Sequence, residues 1–187
     1  MIMGLPQTNH VMTTEEFLEW ELQQIDRHQL YDGEIFAMAG GSAAHNATAG
    51  ALYSELRQHL KGTPCRVFMS DMRVKVAHNY FYPDVVVSCS PLDIQDPKLV
   101  ELNSPKIIVE VLSNSTASFD RGLKFAAYRT IDSLQEYLIL DPDAKTAEVF
   151  RKNATGIWEL HPSTPENPII HLNSVDWIGQ LEAVFEY

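Results

Sequence analysis

The chain has 187 residues, 45% of them apolar, which is enough for a domain with a sizeable core and excludes a disordered or collagen-like polypeptide. Its formal net charge of -11 argues against a general nucleic-acid binder, because attraction to phosphate dominates such affinity. The charge leaves room for a nuclease, since carboxylates gathered to hold divalent cations add negative charge that a bound metal reverses locally.

The N-terminal MIMGLPQTNHVM lacks the basic flank and apolar core of a signal peptide. No apolar run approaches the ~20 residues of a membrane span. Cys65 and Cys89 lack CxxC spacing and are expected as reduced thiols, the state usual in a cytoplasmic protein. Thr13 and Glu16 have the spacing of a capping box, which predicts a short amphipathic helix through Phe17, Leu18 and Leu22. Gln29–Tyr31 and Glu34–Met38 read as strands joined at Asp32-Gly33, a strong hairpin signal. Glu34 opens the second strand, where an exposed strand-end carboxylate is the ordinary expectation.

Gly40-Gly41-Ser42 breaks the pattern, and Ser42 can cap a long helix to about Lys61, with Ala47, Ala51, Leu52, Leu56 and Leu60 as its buried stripe and Gly62 as its stop. His45 lies in the first turn of that helix, a place where histidine is more often a surface or cap residue than a ligand. Cys65–Met69 and Arg73–Ala77 read as strands. In the run from Tyr80 to Val87, Pro83 has no N–H to donate and belongs at a strand's start. Asp84 then enters a series of valines, either as a functional acid or merely as the close of a turn. Pro91 to Pro105 reads as a surface loop with at most one helical turn.

Ile107–Leu112 is aliphatic except for Glu110, as expected of a strand buried on both faces. A carboxylate there is costly unless a cation or strong hydrogen bonds compensate it. Ser115 and Thr116 offer N-caps for a following helix. On that helix Asp120, Lys124 and Tyr128 recur every four residues and share one face. Against a functional reading, Glu110 could be a structural carboxylate paired with an arginine, and Asp120–Lys124 an ordinary surface pair. A further strand is expected at Glu136–Leu140 and a hairpin at Thr146–Arg151 and Ile157–Leu160, with apolar patches at Ile169–Leu172 and Trp177–Val184. With no repeat or linker, residues 1–187 read as a single α/β domain: a mixed sheet flanked by helices, with additional β-hairpins.

Asp84 and Glu110 each interrupt an apolar strand. If the strands are neighbours, the carboxylates converge into a set of hard oxygen donors suited to magnesium or manganese. Lys124 could bring an ammonium to the same place, to stabilise developing charge or orient a water.

These residues carry a resemblance. Pro83-Asp84 followed by Glu110-Val111-Leu112 resembles the PD-(D/E)xK restriction-endonuclease-like superfamily. More narrowly, the pattern is similar to the Uma-type endonuclease family. It comprises Asp32-Gly33-Glu34, His45 in the next helix, Pro83-Asp84 with its valines, and Glu110-Val-Leu-Ser-Asn-Ser-Thr with Asp120, Lys124 and Tyr128 downstream. The resemblance spans roughly residues 13 to 150. It implies a restriction-endonuclease-like fold and a magnesium- or manganese-dependent endonuclease acting on DNA as a homodimer; the cysteines and the lack of an apolar span point to a cytoplasmic protein without a membrane role. It further implies Asp84 and Glu110 as catalytic metal ligands, the Val111 carbonyl as a candidate third ligand, and Glu34 as a candidate second-metal or water-orienting carboxylate. His45, Asp120 and Tyr128 would be accessory. The superfamily's lysine normally stands two residues after the acid, where this chain has Leu112, so the resemblance assigns its place to Lys124. Where the family usually has Gly-Val-Pro before the next strand, this chain has Asp132-Ser133-Leu134. Two other readings stand beside the endonuclease: a non-catalytic binding module that retains the fold, and a metal-dependent hydrolase of a small phosphoester, which the acidic composition favours.

Overall fold

The structure is a computed structural model that describes residues 11–38 and 40–186, so most of the N-terminal segment considered above lies outside the described residues. Helix α1 (Thr14–Glu21) begins with the expected capping box, in which Thr13 and Glu16 each accept the other's backbone N–H. Its buried positions are Phe17 and Glu21, whereas Leu22 is 84% exposed. The register differs from the apolar expectation because Glu21 is held inside, where its carboxylate accepts the His28 N–H and meets the His28 ring.

Strands β1 (His28–Tyr31) and β2 (Glu34–Ala37) form the Asp32-Gly33 hairpin. Both turn residues have positive φ, 51° and 78°, the backbone that Asp-Gly accommodates in a two-residue hairpin turn. Helix α2 (Ala43–His59) follows, with the Ser42 hydroxyl accepting the His45 N–H as its cap. It buries Thr48, Ala49, Leu52 and Leu56; Ala47 and Ala51 are only half-buried. Next come β3 (Arg66–Met69), β4 (Arg73–Val76), β5 (Asn79–Phe81) and β6 (Val85–Ser88). The run from Tyr80 to Val87 is therefore two strands, and they belong to different sheets. Pro83 stands between them, where a missing N–H costs no ladder bond.

Residues 91–105 are more ordered than a surface loop. A helical turn α3 (Pro91–Ile94) and a two-residue strand β7 (Glu101–Leu102) are pinned by buried Asp93, which accepts from Ser88 Oγ and from the N–H groups of Asn103 and Ser104. Strand β8 (Pro105–Val111) leads to a helical segment in three parts: α4 (Ala117–Phe119), a π-helical turn (Asp120–Lys124) and α5 (Phe125–Tyr128). Thr116 takes the N-cap position without a side-chain cap bond, because the Ser115 and Thr116 hydroxyls are each 3.0 Å from Ser113 Oγ instead. The chain ends with β9 (Glu136–Asp141), β10 (Thr146–Lys152), β11 (Trp158–Ser163), β12 (Ile169–Leu172), β13 (Trp177–Gln180) and α6 (Leu181–Val184).

The central sheet has the order β11-β10-β9-β8-β6-β3 and is mixed, with β8 parallel to β9 and antiparallel to β6. A second sheet has the order β2-β1-β5-β4-β7, and β12 pairs with β13. Alternation along β6 and β8 divides the core. Val85, Val87, Ile107, Val109 and Val111 pack with Leu52 and Leu56 of α2 and with the tail residues Trp177 and Leu181. On the opposite face, Val86, Ile108 and Leu112 pack with Tyr128, Tyr137 and Phe81. The tail is tied down by Glu136, fully buried, which accepts from Arg151 Nε and from the N–H groups of Asn173 and Ser174.

Cys65 and Cys89 form a disulfide, contrary to the expectation of free thiols. The cause is register: Arg66 pairs with Ser88 across antiparallel β3 and β6, and the next position sets residue 65 against residue 89. With these cysteines bonded, thiol chemistry no longer supports a cytoplasmic assignment. Among the described residues, no helix is long and apolar enough to cross a membrane.

Candidate functional site

Glu110 lies between Ile108 and Leu112 on the face of β8 that the helical segment covers. Its Oε1 atom is 3.0 Å from Lys124 Nζ and accepts a 2.9 Å hydrogen bond from the Tyr128 hydroxyl. The same ammonium is 3.0 Å from Asp120 Oδ1. All four side chains are buried, so the three helix residues expected to share a face do so toward the sheet. The alternative of an ordinary surface pair does not describe Asp120 and Lys124. Among the described residues no arginine partners Glu110.

The π-helical turn has no counterpart in the sequence expectation. It carries both Asp120 and Lys124, and π turns inside helices recur at functional sites. Two further residues had escaped notice. Tyr137, buried on β9, donates its hydroxyl to the Asp120 carbonyl at 2.9 Å, and the Phe119 ring lies 5.9 Å from Lys124 Nζ. Tyr137 reads in sequence as one more apolar strand residue, and only the parallel β8–β9 register, with Tyr137 opposite Ile108, places it on this face.

Asp84 precedes β6 by one residue. Since Val85 pairs with Val109, the next position of that antiparallel register sets Asp84 against Glu110. Asp84 Oδ2 accepts the Val111 N–H at 2.8 Å and lies 3.3 Å from His45 Nε2. Val111 thus meets Asp84 through its amide, while its side chain is in the core under α2. His45 comes from the first turn of α2, so the helix start beneath the Gly-Gly loop is brought to the end of the central strands. A Cβ on Gly41 would fall 2.6 Å from His45 Nδ1, and φ at Gly41 is not positive. Glycine is needed there for the close approach of the ring. Glu34 stands apart: it is exposed, pairs across the hairpin turn with Tyr31, and makes no hydrogen bond or ion pair with Asp84 or Glu110.

The electrostatics follow from this crowding. Burial pushes the Glu110 carboxyl up to about 8, with Asp120 and Asp84 adding repulsion that the Lys124 ammonium only partly offsets. For Lys124, burial favours the neutral amine, but the Glu110 and Asp120 carboxylates outweigh it and hold the group above its ordinary value, as a cation. Burial beside Glu110 raises Tyr128 well above the usual phenol range, so it remains a hydrogen-bond donor. The hydrogen bond to Asp84 raises His45 above 6.5, against an opposing effect of burial. Among the described residues, no three or more His, Cys, Asp or Glu side chains gather closely enough to form a ready-made metal cage.

The family model described as "Putative restriction endonuclease" (Uma2) matches residues 14–180. The chain belongs to the Uma2 family. Two uncharacterized proteins of Synechocystis sp. (strain ATCC 27184 / PCC 6803 / Kazusa) are each 36% identical to it. One, slr1290, aligns over 149 residues, which is 79% of this chain and 77% of the relative; the other, sll1609, aligns over 168 residues, 89% of this chain and 95% of the relative. Among solved structures, this Uma2 chain is similar to one from Anabaena variabilis titled as "a putative nuclease belonging to DUF820". The TM-score is 0.78 at 18% identity, covering 93% of this chain and 97% of the other. That likeness shows the fold. The mixed α/β architecture expected from the sequence is the one this Uma2 protein shares with a nuclease-like structure.

Proposed function

We propose that this Uma2 protein is a divalent-metal-dependent endonuclease that hydrolyses DNA phosphodiester bonds at Asp84, Glu110 and Lys124. The observation that carries the reading is the buried ammonium of Lys124 held between Glu110 and Asp120, with Asp84, at the end of the neighbouring strand, set against Glu110. A metal fits this donor set. Two carboxylates hold the Lys124 ammonium at 3.0 Å, Asp84 lies against Glu110 on the neighbouring strand, and buried Asp120 Oδ1 has its ion pair but no hydrogen bond. The contacts described above fall on Asp84 Oδ2 and Glu110 Oε1, leaving Oδ1 and Oε2 as hard oxygen donors of the kind magnesium and manganese accept, with water completing the shell. When bound, such an ion polarises a phosphoryl oxygen and makes a water nucleophilic near neutral pH.

The chain's own residues supply the rest. Lys124 offers a fixed positive charge where charge develops on the phosphoryl oxygens, and its carboxylate neighbours keep it protonated. Tyr128 holds Glu110 in one orientation by donating to Oε1. His45 and the Val111 amide do the same for Asp84. The Val111 carbonyl remains a candidate further donor. A homodimer presenting one site to each strand of a duplex belongs to the same reading.

The net charge of -11 favours a second reading, hydrolysis of a small phosphoester. One experiment separates the two. Supercoiled plasmid, linear duplex and bis(p-nitrophenyl) phosphate are offered to the wild type, Glu110→Gln and Lys124→Met across a manganese and magnesium titration. Cleavage of duplex by the wild type alone supports the endonuclease. Turnover confined to the small ester selects the second reading, and no turnover of any substrate leaves a non-catalytic member of the family.

A further inference from the structure

A cleft of about 650 Å³ lies between the C-terminal end of α2 and edge strand β3, far along the helix from His45. Arg57, Lys61 and Arg66 line it together with neutral residues, and no acidic side chain lines it. In a chain with 25 Asp and Glu against 14 Lys and Arg, such a concave patch is unusual. Arginines elsewhere are answered by carboxylates, Arg73 by Glu101, Arg121 by Glu148 and Arg151 by Glu136. Arg57, Lys61 and Arg66 have no such ion pair among the described residues.

The two guanidinium groups are held in place. Arg57 Nη1 donates to the Tyr53 hydroxyl at 2.6 Å, and Arg66 Nη1 donates to the carbonyls of Thr63 and Cys65 at 3.1 and 2.9 Å. These bonds use one nitrogen of each fork and leave the others without a hydrogen-bonding protein partner among the described residues, and arginine forks suit phosphate oxygens. The partial negative charge at a helix C-terminus accounts for cations on α2 itself, but Arg66 lies on β3 and completes the cleft from another element. The spacing also bears on the occupant. From His45 to Gln58 the helix rises ~1.5 Å per residue, or about 20 Å, which matches about six steps of one DNA strand at ~3.4 Å each.

We propose that this cleft is a non-catalytic docking site for the phosphodiester backbone of a nucleic acid, engaged at the opposite end of α2 from the catalytic site. The proposal rests on the nuclease reading for its substrate class and deepens it. It explains how a protein with so negative a total charge holds a polyanion: three cations gathered in one cleft without an acidic neighbour in its lining act locally. Only substrates longer than the separation can use both places.

The test compares the wild type with a triple variant, Arg57→Gln, Lys61→Gln and Arg66→Gln, at three exposed positions. Fluorescence anisotropy follows a labelled duplex of about 20 base pairs in EDTA across a sodium chloride series, where each lost phosphate contact lowers the salt slope by about 0.9. The triple variant is expected to bind at least tenfold more weakly near 0.1 M salt, with a slope smaller by about 2 to 3. Turnover of bis(p-nitrophenyl) phosphate reads the catalytic site independently and should be unchanged. Equal duplex affinity and slope in both proteins, or no duplex binding by the wild type, would overturn the cleft proposal whatever the ester turnover shows. A change of oligomeric state with unchanged duplex affinity would overturn it in favour of a protein partner. Should the triple variant fail to fold, Lys61→Glu alone must weaken duplex binding for the proposal to stand.

Discussion

Lys124 Nζ lies 3.0 Å from Glu110 Oε1 in an environment where the two side chains are 5% and 4% exposed. The pair joins the π-helical turn to the central strand, so one contact ties the helical segment to the sheet. A buried ion pair is weak evidence of net stabilisation, but removing one partner leaves a buried charge uncompensated.

Lys124→Met is therefore expected to lower stability as well as activity. With Glu110 and Asp120 both charged, the loss should approach about 3–5 kcal/mol. Glu110 can escape the penalty by taking up a proton, so the loss should be smaller near pH 6 than near pH 9. Duplex cleavage should fall by roughly 10²–10³, the effect of removing one preorganised electrostatic group. Denaturant unfolding at the two pH values checks the first part. A penalty independent of pH would mean that Glu110 is not the group left uncompensated.

Glu110→Gln isolates the carboxylate itself. Burial raises the folded-state value to about 8 from an ordinary 4.5, so the folded protein binds this proton more tightly than the unfolded chain does. The contribution to stability is fully present below about 4.5 and is lost as the pH rises toward 8. Metal-free wild type should lose stability relative to Glu110→Gln progressively across that window. Parallel pH profiles of the two proteins in EDTA would contradict the burial argument.

For His45 the sign is worked out in the same way. Its hydrogen bond to Asp84 raises the folded value above 6.5, so the stabilisation is fully present below 6.5 and disappears as the pH climbs through the folded value. His45→Gln should therefore cost about 1 kcal/mol in mild acid and progressively less in mild base. Gly41→Ala should weaken the same response without deleting the histidine, because its Cβ must displace the ring. Thermal unfolding over about pH 5.5 to 9 reads both variants. A wild-type profile identical to that of His45→Gln would detach His45 from Asp84.

Much of this site was legible because its residues break local rules. A carboxylate inside Ile107–Leu112 and another before Val85–Ser88 conflict with apolar strands, and the i, i+4 recurrence of Asp120, Lys124 and Tyr128 survives in three dimensions. The hairpin at Asp32-Gly33 and the capping box at Thr13 were equally local signals. What escaped depends on register between distant segments. The Cys65–Cys89 bond, the division of Tyr80–Val87 between two sheets, and the clamps made by Asp93 and Glu136 are tertiary facts with no local spacing to announce them. The π turn is a backbone response that four-residue spacing conceals. Glu34 was singled out by resemblance, whereas its placement agrees with the plain expectation of an exposed strand-end acid.

The remaining prediction couples metal, charge and stability. Glu110 and Asp120 share one ammonium, and Asp84 and Asp120 both push the Glu110 value upward. A divalent cation that binds only the folded protein relieves that repulsion and stabilises by mass action, by about 2.7 kcal/mol at a hundredfold excess over its dissociation constant. The melting temperature should thus rise with manganese or magnesium and not with sodium chloride of matched ionic strength. Glu110→Gln and Asp84→Asn each remove a candidate ligand and should respond less to the ion; Glu110→Gln, which also relieves repulsion, should start from a higher metal-free stability, whereas Asp84→Asn loses the partner of His45 and Val111. The two effects in Glu110→Gln have opposite signs, and a nonspecific salt effect cannot produce both. Thermal unfolding of the three proteins across a manganese titration, with calorimetric binding in parallel, measures them. If all three respond alike, Asp84 and Glu110 do not hold the ion, and the buried Lys124–Glu110 pair is a structural feature of a non-catalytic family member.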